Sequence, residues 1–214
     1  MLDDVIDKHQ LRRAGAPPAR AKGFVVLIHG RGATAESMLP LADAIAMPDL
    51  CYLAPQAEGY TWYPQSFMAP TAANEPHLSR ALARVAAIIA DILAAGVVPE
   101  KLGVIGFSQG ACLTAETALR NPRPYGFIGI LSGGAIGPPG TPRDYAGALE
   151  GARVFLGCSD HDPHTPLARV QETTGVFKRM GASVTERIYP GSSHGVNDDE
   201  LAHVRAGLSG MTSA

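Results

Sequence analysis

The sequence predicts one α/β domain, a three-layer sandwich built on a mostly parallel central sheet. Three observations predict it. Short apolar runs suited to strands covered on both faces recur along the chain, each followed by a segment that reads as a helix. Gly and Pro are spread as turn punctuation, and no repeat, charge block or long linker divides the 214 residues. Strands separated by helices pair in parallel through right-handed crossovers, which puts helices on both faces of the sheet.

Taken in order, residues 1–21 are expected to form a peripheral N-terminal segment. Phe24-Val25-Val26-Leu27-Ile28 is a continuous apolar run, and Ser37 to Met47 then reads as a helix. Cys51-Tyr52-Leu53-Ala54 is a short strand ended by Pro55. Asn74-Glu75-Pro76 supplies a cap residue and an early proline for a helix running to about Gly96. Leu102 to Gly106 is the next strand, Ala111 to Arg120 its helix, and Phe127 to Leu131 another buried-type strand. Arg153 to Leu156 is a strand, Thr165-Pro166 caps and opens a helix to about Met180, and Val184 to Tyr189 is a strand. Asn197-Asp198-Asp199-Glu200 opens the last helix with acidic groups at the positive end of its dipole. In such sheets function gathers at the carboxyl ends of the strands.

Composition narrows the function classes. Hydrophobic residues at 46% and charged residues at 18% describe an ordinary globular protein. A net charge of -2 and the lack of a Lys/Arg run argue against nucleic acid as a partner. Met1 to Lys8 lacks the basic start and apolar run of a secretory signal, and the apolar stretch Leu82 to Val98 is interrupted by Arg84 and Asp91. No membrane span is expected, and the protein is expected in the cytoplasm. Cys51, Cys112 and Cys158 are an odd number without C-x-x-C spacing, which suits free thiols that pack as small hydrophobes.

Chemistry concentrates at Gly106-Phe107-Ser108-Gln109-Gly110, where a G-x-S-x-G pattern falls between a strand and a helix. The turn is tight enough that the residues two before and two after the serine must be small, and glycine occupies both. A strained turn of this kind holds the serine Oγ clear of the sheet; the competing reading is a glycine-rich turn whose serine merely caps the helix. A hydroxyl becomes an effective nucleophile only with a base to take its proton and a third group to orient that base. Asp160 and Asp162 follow the strand ending near Leu156, and His194 lies in a Gly/Ser-rich loop between the last strand and last helix. The order Ser, Asp, His is that of the α/β-hydrolases.

These segments resemble the small carboxylesterase/phospholipase family of α/β-hydrolases that includes the acyl-protein thioesterases. The likeness is carried by Leu27-Ile28-His29-Gly30-Arg31-Gly32, Gly106 to Gly110, Asp162-Pro163-His164-Thr165-Pro166 and Ser193-His194, and spans nearly all of residues 22–208. It implies an α/β-hydrolase sandwich with Ser108 as nucleophile, His194 as general base and then general acid, and Asp162 as the orienting carboxylate. Asp162, Pro163 and Pro166 match the family's Asp-Pro-x-x-Pro pattern and Asp160 does not, leaving Asp160 as a turn residue. A metal-site reading of Asp160, His161, Asp162 and His164 loses to the triad, and neither metal nor cofactor is implied. By resemblance the oxyanion donors are the backbone amides of Arg31 and Gln109, and His29 is a packed histidine bonded to loop backbone. The Arg31 side chain is expected either in solvent or against an anionic substrate group.

Residues 56–73 form a long aromatic stretch in which Trp62, Tyr63, Phe67 and Met68 are candidates to line a substrate pocket. The region after Leu131 is where larger relatives insert a lid, and only a short loop is expected here, hence no large lid and an open site for small or short-chain acyl groups. The expected function is hydrolysis of a small-molecule carboxylic ester or thioester through an acyl-enzyme. The alternative is a non-catalytic member of the fold that binds a small molecule or a protein. Monomer and homodimer are both left open.

Overall fold

The computed structural model describes residues 1–212. Seven strands form one sheet: β1 (Arg12–Gly15), β2 (Gly23–Ile28), β3 (Leu50–Ala54), β4 (Leu102–Phe107), β5 (Phe127–Leu131), β6 (Arg153–Ser159) and β7 (Ser183–Tyr189). Their spatial order is β1-β3-β2-β4-β5-β6-β7, with every pairing parallel except the antiparallel β1–β3 edge. The α-helices are α1 (Leu2–His9), α2 (Leu39–Ile45), α3 (His77–Ala94), α4 (Gln109–Arg120), α5 (Leu167–Arg179) and α6 (Asp198–Thr212). Among the described residues no helix is long and apolar enough to cross a membrane.

Strand alternation sorts the core into two layers. Phe24, Val26 and Ile28 of β2 join Val104, Ile128, Ile130, Val154 and Leu156 in a cluster with α1, α3, α4 and α5. Val25 and Leu27 point the other way and join Ile105, Phe127 and Phe155 in a cluster under α2 and α6. Side chains of successive residues leave opposite faces of a strand, so a run apolar at every position is needed where helices cover both faces. β2, β3 and β5 are accordingly buried along their whole length.

The predicted strands and helices all form, with shifts of a few residues at their ends. The segment read as a helix from Ser37 starts as a 3-10 turn, Glu36–Met38, and its α-helical part ends where Ala46 turns left-handed at φ 56°. Asn74 does not cap α3. It is fully buried, accepting from Gln65 N at 2.7 Å and donating to Ser66 O at 2.9 Å, while Glu75 caps the Ser79 amide at 3.1 Å. Thr165 likewise does not cap α5; its hydroxyl donates to Ser132 O at 3.1 Å. Asn197 does open α6, in a reciprocal capping box with Glu200: Glu200 N donates to Asn197 Oδ1 at 2.9 Å and Asn197 N to Glu200 Oε2 at 2.8 Å.

Residues 1–21 lie at the sheet edge and carry two elements that the sequence did not reveal. β1 is a polar four-residue strand, and its Gly15 adopts φ +74° so close to β3 that a Cβ would stand 2.2 Å from Leu50 O. α1 buries Val5 against the core, and its Lys8 and His9 reach Asp91 of α3 at 2.6 and 2.7 Å.

Candidate active site

The turn from β4 into α4 sets the site. Ser108 sits at φ 54°, ψ -120°, a region that side-chain-bearing residues rarely occupy, and its amide is tied to Leu131 O at 2.9 Å. Both flanking glycines are required by space. A Cβ on Gly106 would stand 2.2 Å from Gly110 O, and one on Gly110 would stand 2.1 Å from Ile28 O. The turn thus lifts Ser108 above the carboxyl end of the sheet, at the N-terminus of α4, where developing negative charge is favoured.

His194 comes from the loop between β7 and α6. That loop is held by the end of β6 and the turn after it: Ser159 Oγ donates to Ser193 O at 2.7 Å, and Gly191 N donates to Asp160 Oδ1 at 2.8 Å. Held this way, His194 Nε2 lies 2.9 Å from Ser108 Oγ and its Nδ1 lies 2.7 Å from Asp162 Oδ2. The other Asp162 oxygen accepts from the amides of His164 and Thr165 at 2.8 and 2.9 Å. Burial pushes the Asp162 carboxyl up, but the bond to His194 and the two amides outweigh it and hold it below the usual carboxylate range. The three residues meet, and Asp160 is turned to the loop instead.

His29 is fully buried, with Nε2 accepting from Ala57 N at 3.0 Å and Nδ1 2.7 Å from Gly30 O. Burial lowers its pKa. It braces the loop that carries Arg31. Gly30 packs so tightly on Ser108 that a Cβ there would stand 3.3 Å from Ser108 Cβ, and Arg31 and Gln109 line the same cleft as Ser108. The Gln109 amide opens α4, where the first turn leaves N–H groups without intrahelical acceptors.

The Arg31 side chain is exposed at the cleft, as one of the two expectations had it, and is also anchored. Its guanidinium donates to Pro64 O at 2.7 Å and Gln65 O at 2.6 Å and lies over the Tyr63 ring. The Gln109 side chain grips the same segment, accepting from Trp62 N at 3.0 Å and donating to Tyr63 O at 2.8 Å. With Asn74 on Gln65 and Ser66, the wall of the cleft is pinned by three side chains whose partners are dozens of residues away or hidden in irregular loop. No local pattern signals such contacts, and sequence reasoning missed them.

The cleft over Ser108 has a volume of about 660 Å³, and its lining includes Tyr63, Phe67 and Cys112. Of the four aromatic-loop candidates, Tyr63 and Phe67 line it. Trp62 does not: it is buried, with its indole N–H on His29 O at 2.9 Å, and Met68 packs on the core. Both were drawn by loop composition, but they turn inward to satisfy the core. The connection between β5 and β6, residues 132–152, contains no helix and contributes nothing to the lining of the cleft. It is clamped by Arg169, which donates to Ala135 O and Gly137 O at 2.6 and 2.7 Å. All three cysteines are buried and free, and burial raises their thiols to about 11 at Cys51 and about 12 at Cys112 and Cys158.

Comparison with known proteins agrees with this architecture. A phospholipase/carboxylesterase from Dyadobacter fermentans superposes with a TM-score of 0.88 at 40% identity, covering 92% of this chain and 95% of that one. A probable carboxylesterase SOBER1-like of Arabidopsis thaliana is 24% identical over 135 residues, 63% of this chain and 52% of its own. Acyl-protein thioesterase 1 of Eremothecium gossypii is 32% identical over 130 residues, 56% of this chain and 54% of its own. The matched part of the chain spans about half the length of these two curated relatives. The model of the Phospholipase/Carboxylesterase family matches residues 12–211. With that match covering all seven strands, the chain belongs to the phospholipase/carboxylesterase family of α/β-hydrolases.

Proposed function

We propose that the chain is a serine hydrolase that cleaves carboxylic esters or thioesters of short acyl groups through an acyl-enzyme at Ser108. The observation that carries this reading is the continuous relay from Ser108 Oγ to His194 Nε2 at 2.9 Å and from His194 Nδ1 to Asp162 at 2.7 Å. His194 takes the Ser108 proton as Oγ attacks the carbonyl carbon, then returns it to the departing alcohol or thiol as the tetrahedral intermediate collapses. Water, deprotonated by the same imidazole, then releases the acid and restores Ser108. Asp162 fixes the imidazole tautomer, and the Arg31 and Gln109 amides carry the oxyanion. The short-acyl preference is supported by a cleft of about 660 Å³ that has the buried Tyr63, Phe67 and Cys112 in its lining and gains no lining from the β5–β6 connection. Three buried free thiols suit a reducing cytoplasm.

The test is a pre-steady-state assay with p-nitrophenyl acetate, alongside labelling by a fluorophosphonate. A p-nitrophenol burst stoichiometric with protein and a single label on Ser108 are expected. Absence of both would favour a binding protein that keeps the fold without the reaction. A preference for long-chain lipid esters over acetate or butyrate esters would remove the short-acyl part alone.

A further inference from the structure

An ester has two arms, joined at the carbon that Ser108 would attack, and the cleft over Ser108 adjoins a second cavity at Gly30, Ala33 and Phe107. The larger cleft is lined in part by Tyr63, Phe67 and Cys112, all of them in the core of the layer that holds α3 and α4. A second groove of about 460 Å³, within the range of about 300–1,000 Å³ common for small-ligand sites, runs the other way. It passes between the first turns of α2 and α6, walled by Met38, Leu41, Ala44, Phe107, Val196 and Leu201, and it shares Gly30, Ala33 and Phe107 with the first cleft. Phe107 explains the division. Strand alternation sends it to the α2/α6 face with Ile105, and its ring packs 5.1 Å from that of His194. Leu41, Phe107, Val196 and Leu201 are only partly buried where they rest on that core, so the groove is apolar surface left open beside the nucleophile.

We propose that this groove is the subsite for the alcohol arm of the substrate and that it selects esters of apolar, straight-chain alcohols. The inference rests on the ester-cleaving reading of Ser108. The leaving oxygen must turn toward His194 Nε2 to collect its proton; that ring packs between His164 at 4.7 Å and Phe107 at 5.1 Å, and Phe107 is also a wall of the groove. The acyl arm then takes the opposite cleft, whose wall Arg31 and Gln109 hold. Each methylene added to the alcohol leaves water for an apolar wall, so specificity rises with alcohol length until the groove is filled.

Two measurements on the whole chain test this. The first needs no turnover: 1-hexanol is titrated while the methyl NMR signals of Leu41, Val196 and Leu201 are followed. Saturable shifts at these methyls are expected. Shifts confined to residues of the opposite cleft, or none, would overturn the proposal, as would methyls that become protected with protein concentration alone, which would assign the groove to a second copy of the chain. The second compares kcat/KM for hexyl acetate and ethyl acetate. A ratio of at least about ten is expected, falling toward one in Ala44→Trp, which fills the groove from its exposed rim, and in Leu41→Gln, which makes it polar. A ratio that stays high in both variants, or variants that change discrimination between ethyl hexanoate and ethyl acetate instead, would overturn the assignment. Hexanol bound at the groove by a chain that turns over no ester would leave an apolar binding groove but overturn the hydrolase reading and, with it, the alcohol-arm assignment.

Discussion

At the scale of single residues, Asp162 shows how the fold keeps a buried carboxylate charged. Desolvation opposes the charge, and the His194 ring and two backbone amides restore it. Asp162→Asn removes the charge while nearly keeping the shape, and its amide can hold the His194 ring in the wrong tautomer. The expected cost is on the order of 10³- to 10⁴-fold in kcat on a p-nitrophenyl ester, with Ser108→Ala and His194→Ala each losing at least several hundred-fold. Wild-type turnover in Ser108→Ala would move the active site elsewhere. Arg31 makes a different prediction because its proposed catalytic atom is the main-chain nitrogen and its side chain holds Pro64 and Gln65. Arg31→Ala should loosen the wall of the cleft and raise KM several-fold while kcat falls much less; steady-state kinetics that show the reverse split would deny the side chain this positioning part. The contrast also explains what could be read from sequence. Ser108 was legible because steric exclusion at Gly106 and Gly110 leaves a mark five residues long. The grip of Arg31 on carbonyls 33 and 34 positions away leaves none.

At the scale of elements, α6 matters because its N-terminus anchors the loop that presents His194. Glu200 closes the capping box there, yet its second oxygen, Oε1, is buried without a hydrogen-bond partner, beside Gly157 of β6, where a Cβ would come within 2.2 Å of it. Burial, aided by Asp199, pushes this carboxyl from its ordinary 4.5 to about 7 against the Asn197 amide. A folded-state pKa above the unfolded one means that the contribution to stability is complete below about pH 4.5 and is lost as the pH rises through about 7. Its size is on the order of 3 kcal/mol across that window. Glu200→Gln keeps an acceptor for the Asn197 amide and cannot ionise. Urea denaturation at pH 4.5, 6 and 8 should therefore show wild type losing stability with rising pH relative to the variant; parallel profiles would mean that Glu200 ionises freely. The capping box itself was legible in Asn197-Asp198-Asp199-Glu200, whereas Asn74 was misread as a cap. Both are Asn followed by acidic or proline residues, and only tertiary burial sends one side chain to its helix and the other to the Gln65–Ser66 wall.

At the scale of the whole molecule, the parallel part of the sheet announces itself because burial on both faces forces continuous apolar runs, and β2, β4 and β5 were readable for that reason. β1 was not. Arg12-Arg13-Ala14-Gly15 is held by main-chain pairing to β3 and has no apolar face to detect. Its work is at the edge: it covers the unpaired side of β3, a strand buried along its full length and rich in residues that would pair with another chain. α1 adds to this by burying Val5 in the core and tying Lys8 and His9 to Asp91. Deleting residues 1–15 should therefore lower Tm by more than about 5 °C and promote aggregation on warming, read by thermal denaturation with light scattering. The same deletion should leave Ser108 reactive to a fluorophosphonate in the cold, since β3 and β2 stand between β1 and the strand that carries the Ser108 turn. A truncated chain as stable as the full one would show that β3 needs no cover, and one that is stable but unlabelled would show that the edge reaches the site through the sheet.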